Sequence, residues 1–183
     1  TEDVVDSRNG SYVYSLDSVH SEEVTSRAGE LYLESAMVDA GVASRNDQYA
    51  DVYDSTITGD LLVAGVTGGS LFCYSEVDGN AVYRGSSGDI QIGAEAPLSD
   101  CGFNVFAGDL RINNNTGDIR LSDNVVRGNL VCNGNTNAPA GEGNRVRGEA
   151  RGQCAEIAPA AVPSLRAFAD VDRKAAIEHR LQT

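Results

Sequence analysis

The chain has 183 residues and a net charge of −13, with 41% hydrophobic and 6% aromatic residues, no Trp, one Met, four Cys and 20 Gly. That length suits one domain with a core of Val, Leu, Ile and Ala. The charge argues against nucleic acid as a partner, because phosphates need a basic face, and no apolar run of about 18 residues is present to span a membrane.

The first 55 residues show no regular repeat. "SYVYSL" (Ser11 to Leu16) and "ELYLES" (Glu30 to Ser35) alternate as strands do, and five of the seven Tyr lie by residue 53. The first coil of a solenoid exposes unpaired backbone, so residues 1–55 are expected to form an irregular N-terminal cap over the repeats.

From residue 56 to 157 one phrase recurs: Gly, a small or polar residue, an apolar one, any residue, an apolar one. Its copies are "GDLLV" at Gly59, "GSLFC" at Gly69, "GNAVY" at Gly79, "GDIQI" at Gly88, "GDLRI" at Gly108, "GDIRL" at Gly117 and "GNLVC" at Gly128, with "GELYL" at Gly29 as an eighth. The spacings are 10, 10, 9, 20, 9 and 11, and the long gap holds "CGFNV" after an interruption at Pro97. Such periodicity is the mark of a repeat architecture. It predicts an all-β, right-handed parallel β-helix (β-solenoid) with about twenty residues and two or three short strands per coil, about five coils in total. The third and fifth positions of each phrase point inward, and Gly-Asp or Gly-Asn turns the corner. An antiparallel sandwich also offers short strands and regular turns; the repeated identity of the corners favours stacking, since sandwich turns differ from one another. Residues 158–183 shift in composition after Pro159 and Pro163, and "SLRAFADVDRKAAIEHRL" reads as a short C-terminal helical tail that caps the last coil or docks a partner.

The cysteines test the coil. Cys73 and Cys132 fall at the same phase, 59 residues apart. At about 4.8 Å per coil that is roughly 14 Å, beyond the ~7 Å between Cα atoms that a disulfide bridges. Cys73 with Cys101 and Cys132 with Cys154 are each about one coil apart and are the expected pairs, which implies an oxidising compartment. There is no CxxC, and His20 and His179 are the only histidines, so neither a metal nor a cofactor is expected.

The stretch Val125 to Cys154 resembles the closing segment of a group of secreted repeat proteins of high-GC Gram-positive bacteria. Their pattern is carried here by Gly128, Asn129, Leu130, Cys132, Gly134, Asn135, Thr136, Pro139, Gly143, Asn144, Val146, Gly152, Gln153 and Cys154. The resemblance implies a secreted solenoid and assigns it no activity. The Gly-Asp-Ile/Leu phrases are also similar, more loosely, to those of bactofilins and of adhesin solenoids. The tail after Cys154 has no counterpart in the pattern.

No catalytic constellation emerges, and the chain is read as not an enzyme. Outward positions of the repeats include Arg111 and Arg120, which with Asp123 form a candidate ligand face for an acidic polysaccharide, to be bound or cleaved there. Corner aspartates such as Asp109 and Asp118 are accounted for by turn hydrogen bonds. Leu62, Phe72 and Val82 follow one another as apolar outward residues, a strip packed under the N-terminal segment or used for self-association. "NNNTGD" and "SDNVV" offer oxygens to calcium but lack its ligand spacings, and stacked Asn ladders fit them better. The expected role is structural or adhesive, secreted or at the cell surface. Its partners would be further copies of the chain in a homopolymer, or a cell-surface glycan.

Peptide mapping of the unreduced protein is expected to recover the pairs Cys73–Cys101 and Cys132–Cys154. A Cys73–Cys132 bridge would contradict the stacking.

Overall fold

The structure, a computed structural model, describes residues 6–7, 12–94 and 100–157. Alternation in these residues produces three parallel sheets that share one core. The first contains Asp6–Ser7, Val24–Arg27, Val42–Arg45, Leu61–Ala64, Ala81–Arg84, Leu110–Asn113, Leu130–Asn133 and Ala150–Gly152. The second contains Tyr12–Leu16, Glu30–Glu34, Tyr49–Tyr53, Gly69–Cys73, Asp89–Gly93 and Ile119–Ser122. The third is built of strands of two or three residues, from Val19–His20 and Met37–Val38 up to Asn124–Val126 and Arg145–Val146. The chain visits the second, third and first sheets in turn, so each circuit is one coil of a β-solenoid, and the seven strands of the third sheet mark about seven coils.

Equivalent side chains stack in register. Leu61 lies on Ala81, then Leu110, Leu130 and Ala150, and Ile90 lies on Ile119. The larger inward residues, among them Tyr83, Phe72 and Phe106, are fully buried. Each such burial contributes about 1.5–3 kcal/mol.

Two further constraints fix the corners. Glycine is required where the corner backbone of one coil rests on the next. A Cβ on Gly108 would lie 2.4 Å from the Gly79 carbonyl oxygen, and one on Gly128 would lie 2.5 Å from that of Gly108. The second constraint is the corner N–H groups that face the interior and need partners. Between the second and third sheets the Ser55 N–H donates to Ser75 Oγ at 3.0 Å and the Ser75 N–H to Asn104 Oδ1 at 3.0 Å. Asn104 Nδ2 then donates to Asn124 Oδ1 at 2.9 Å and Asn124 Nδ2 to Asn144 Oδ1 at 3.0 Å. A second ladder between the first and second sheets runs through Ser86, Asn115, Asn135 and Gln153. The Asn ladders expected from "NNNTGD" and "SDNVV" are present at Asn115 and Asn124.

Three expectations are corrected. Residues 12–55 are not an irregular cap but coils like the rest: Tyr12–Leu16 pairs with Glu30–Glu34, which pairs with Tyr49–Tyr53. The expected cap boundary at residue 55 and the count of five coils therefore give way to a regular stack of about seven. The second correction concerns "GSLFC". Gly68, rather than Gly69, is the equivalent of Gly88 and Gly117, since a Cβ on Gly88 would touch Gly68 at 2.6 Å and one on Gly117 would touch Gly88 at 2.3 Å. Ser70 and Phe72 therefore point inward, Phe72 stacking on Phe106 with ring centroids 5.1 Å apart, while Leu71 and Cys73 point outward. Third, Cys73 and Cys132 do not share a phase: Cys132 pairs with Ile112 in the first sheet, and Cys73 with Tyr53 in the second.

Both expected disulfides are present. Cys73–Cys101, with Cα atoms 4.9 Å apart, ties an insertion to the outside of the second sheet. That insertion makes the step from Ala81 to Leu110 nine residues longer than the step from Leu61 to Ala81. Cys132–Cys154, with Cα atoms 5.3 Å apart, closes the last coil, and the Gln153 N–H donates to the Cys132 carbonyl at 2.7 Å. The expected helical tail, 158–183, lies outside the described residues.

Asn124→Ala removes donors to the Ile92 and Ser122 carbonyls and an acceptor for Asn104 inside the core. It is expected to destabilise by about 3 kcal/mol in urea unfolding. Asn137→Ala removes an exposed bond to Asp118 and should change stability by less than about 0.5 kcal/mol.

Candidate functional site

The expected ligand face does not assemble. Arg111 stands on the outer face of the first sheet between Val82 and Val131, with Nη2 3.4 Å from Asp109 Oδ2. Arg120 stands on the second sheet beside Gln91. Asp123 occupies the corner beyond it, with φ 55°. The reason is the spacing: Gly108 opens a first-sheet strand and Gly117 a second-sheet strand, so residues nine apart belong to neighbouring faces and not to one. The apolar strip is likewise reduced. Leu62 and Val82 are in-register neighbours on the first sheet, half-buried, whereas Phe72 is in the core.

A different face carries the chemistry. The inward residues of the second sheet in the first three coils are Val13 and Ser15, Leu31 and Leu33, Ala50 and Val52. Alternation turns their neighbours outward: Tyr12, Tyr14 and Leu16 in the first row, Glu30, Tyr32 and Glu34 in the second, Tyr49, Asp51 and Tyr53 in the third. Parallel register sets Tyr14 beside Tyr32 and Tyr32 beside Asp51. The ring centroids of Tyr12 and Tyr14 are 5.9 Å apart, as are those of Tyr14 and Tyr32. Tyr14 Oη donates to Glu30 Oε2 at 3.1 Å and Tyr32 Oη to Glu34 Oε2 at 2.8 Å. Asp51 accepts the Leu71 N–H at 3.0 Å.

The platform has a wall at one end and is open at the other. In the third and fourth rows Tyr53, Leu71 and Cys73 are buried with Cys101 against the disulfide-tied insertion. In the first row Tyr12 is 62% and Tyr14 54% exposed. The other large apolar residues that are exposed, Leu16, Val19 and Met37, continue around the corner onto the third sheet. The sequence did carry a signal for this face, in Tyr and acid at alternate positions of "YVYSL", "ELYLE" and "YADVY", out of phase with the apolar residues.

Chemically the face is aromatic and anionic. Burial, with the Glu30 hydrogen bond adding to it, pushes the Tyr14 phenol up to about 12. Burial and Glu34 push Tyr32 up as well. Both hydroxyls stay protonated at neutral pH and serve as donors that hold the carboxylates in place. His20 is buried inside the first coil, its Nε2 2.6 Å from Ser15 Oγ. Among the described residues no three His, Cys, Asp or Glu converge as metal ligands.

Comparison with protein-family models, with curated proteins and with solved structures finds no match. The fold itself defines the class, a three-sheet parallel β-solenoid with two disulfides. Within that class the tyrosine–carboxylate face distinguishes this chain.

Spectrophotometric titration is expected to show Tyr14 ionising near pH 12, above the ordinary phenol value of about 10. The raised value means that the fold favours the protonated phenol. Its stabilisation is complete below about pH 10, where unfolded tyrosines titrate, and is lost as pH rises through the folded value. Buried Tyr83 is raised in the same sense, so the urea midpoint should fall steadily above about pH 10, and Glu30→Gln should bring Tyr14 back toward its ordinary value.

Proposed function

We propose that the chain is a non-catalytic structural and adhesive solenoid, secreted or displayed at a cell surface, with the right-handed coil usual for parallel crossovers. The observation that carries the reading is a stack locked by continuous ladders and two disulfides that holds an exposed aromatic face in fixed rows. Disulfides belong to oxidising compartments, and the likeness of Val125 to Cys154 to the closing segment of secreted repeat proteins agrees. No described helix is long and apolar enough to cross a membrane. Self-assembly into a homopolymer forms part of the proposal. Exposed Glu22 and Glu23 lie at the first coils and exposed Arg145, Arg147 and Arg151 at the last, so the two ends carry opposite charge.

A second reading, recognition of an acidic polysaccharide, draws support from the first sheet. Arg27, Arg45, Ala64 and Arg84 follow one another in register on its outer face, with Arg111 and Arg151 in the neighbouring column. The candidate ligand residues on this reading become Arg27, Arg45, Arg84 and Arg111, without Arg120.

Electron microscopy of the purified protein, together with its retention on isolated cell-wall polysaccharide, tests both. Regular fibres and retention are expected. Dispersed particles that bind only acidic glycans on an array, and lose that binding with Arg45→Ala and Arg84→Ala, would favour the second reading.

A further inference from the structure

We infer that the outer face of the second sheet over the first three coils, built on Tyr12, Tyr14, Tyr32, Tyr49, Glu30 and Glu34, is a binding site for a polysaccharide whose sugars carry protonated amines. The inference rests on the adhesive reading and gives it a ligand class.

Four observations converge. The first is exposure: Tyr12 and Tyr14 present more than half of their surface to solvent, and aromatic rings on a flat sheet offer the hydrophobic area that a sugar ring covers. The second is charge. Glu30, Glu34 and Asp51 are interleaved with the rings, and the first three rows carry no Arg or Lys. An ammonium group over a phenol ring gains cation–π attraction, and beside a carboxylate it gains a charge-assisted hydrogen bond. The same carboxylates repel uronates, sulfates and phosphates, so this face cannot serve the acidic polysaccharide of the second reading.

The third is size and shape. Three strands about 4.8 Å apart and five residues long span roughly 10 by 16 Å. That is a small fraction of the ~800 Å² per partner that a stable protein complex buries, yet it accommodates a few linked sugars. The face is flat and open along its length, unlike the concave pockets that enclose free small molecules, and an extended polymer can run off either side. The fourth is preorganisation. Tyr14 is held to Glu30 and Tyr32 to Glu34, so little side-chain freedom remains to be lost on binding.

The test uses the intact protein and a fully deacetylated β-1,4-linked glucosamine hexamer. Because there is no Trp, intrinsic fluorescence comes from the seven tyrosines, and Tyr12, Tyr14, Tyr32, Tyr49 and Tyr53 all stand on the outside of this one sheet. Saturable binding with a change in that fluorescence is expected. Tyr14→Ala, and separately Glu30→Gln with Glu34→Gln, should each weaken binding by about tenfold or more without moving the urea midpoint substantially, while Leu62→Ala on the first sheet should leave binding unchanged. Equal binding of the fully N-acetylated hexamer would overturn the requirement for amines. Equal binding of hexalysine would overturn the requirement for sugar, and binding indifferent to the Tyr14 and Glu30/Glu34 variants would overturn the site. Retention on cell-wall material that survives Tyr14→Ala would leave the adhesive reading standing and remove this site from it; hexamer binding without such retention would do the reverse.

Discussion

The structure depends on how the interior-facing N–H groups of the corners are satisfied. Where the chain turns between sheets it leaves the strand ladder, and a buried N–H without a partner costs about 1–3 kcal/mol. Stacked Ser and Asn side chains accept from the neighbouring coil. Each can also donate within the stack, Ser75 Oγ to the Cys73 carbonyl and Asn135 Nδ2 to the Ile112 carbonyl. The device repeats without limit because each coil supplies the acceptor its neighbour needs. With it in place, glycines at Gly79, Gly108 and Gly128 let the corner backbones meet closely enough for every layer to keep the same register.

Much of this was legible in the sequence, and the reason is steric. Corners that admit no Cβ keep Gly, so the phrases from Gly59 to Gly128 announce themselves by recurrence, and from their spacing come the coil length and both disulfide pairs. What escaped detection is equally physical. In the early coils Ala28, Asn46, Ser35 and Asp54 hold the left-handed backbone that Gly65, Gly85, Gly134 and Gly143 hold later, so the phrase disappears although the fold continues. Gly68-Gly69 made the register of its strand ambiguous, and the inward Ser70 with an outward Leu71 reversed the usual polarity because the insertion covers Leu71.

The functional face was obscured by the same oversight. Five tyrosines in the first 53 residues look like the irregular composition of a cap until the coils beneath them are recognised. Period-two alternation then sends every one to the outside of a single sheet. Arg111 and Arg120 show the converse: similar phrases at nine-residue spacing suggested one surface, but a three-sided coil of about twenty residues sends them to different sides. In such a fold, neighbours on a face are a whole circuit apart in the chain.

The position of the two cross-links has a mechanical consequence. Both lie at or beyond Cys73, and a solenoid layer touches only the layers next to it, so cooperativity does not extend from one end to the other. Under load, the amino-terminal layers have only hydrogen bonds and packing to resist peeling, while the carboxy-terminal layers are covalently clamped. An anchor that gripped its target through the tyrosines would therefore lengthen near the point of attachment before its body gave way, acting as a shock absorber in series with a rigid post.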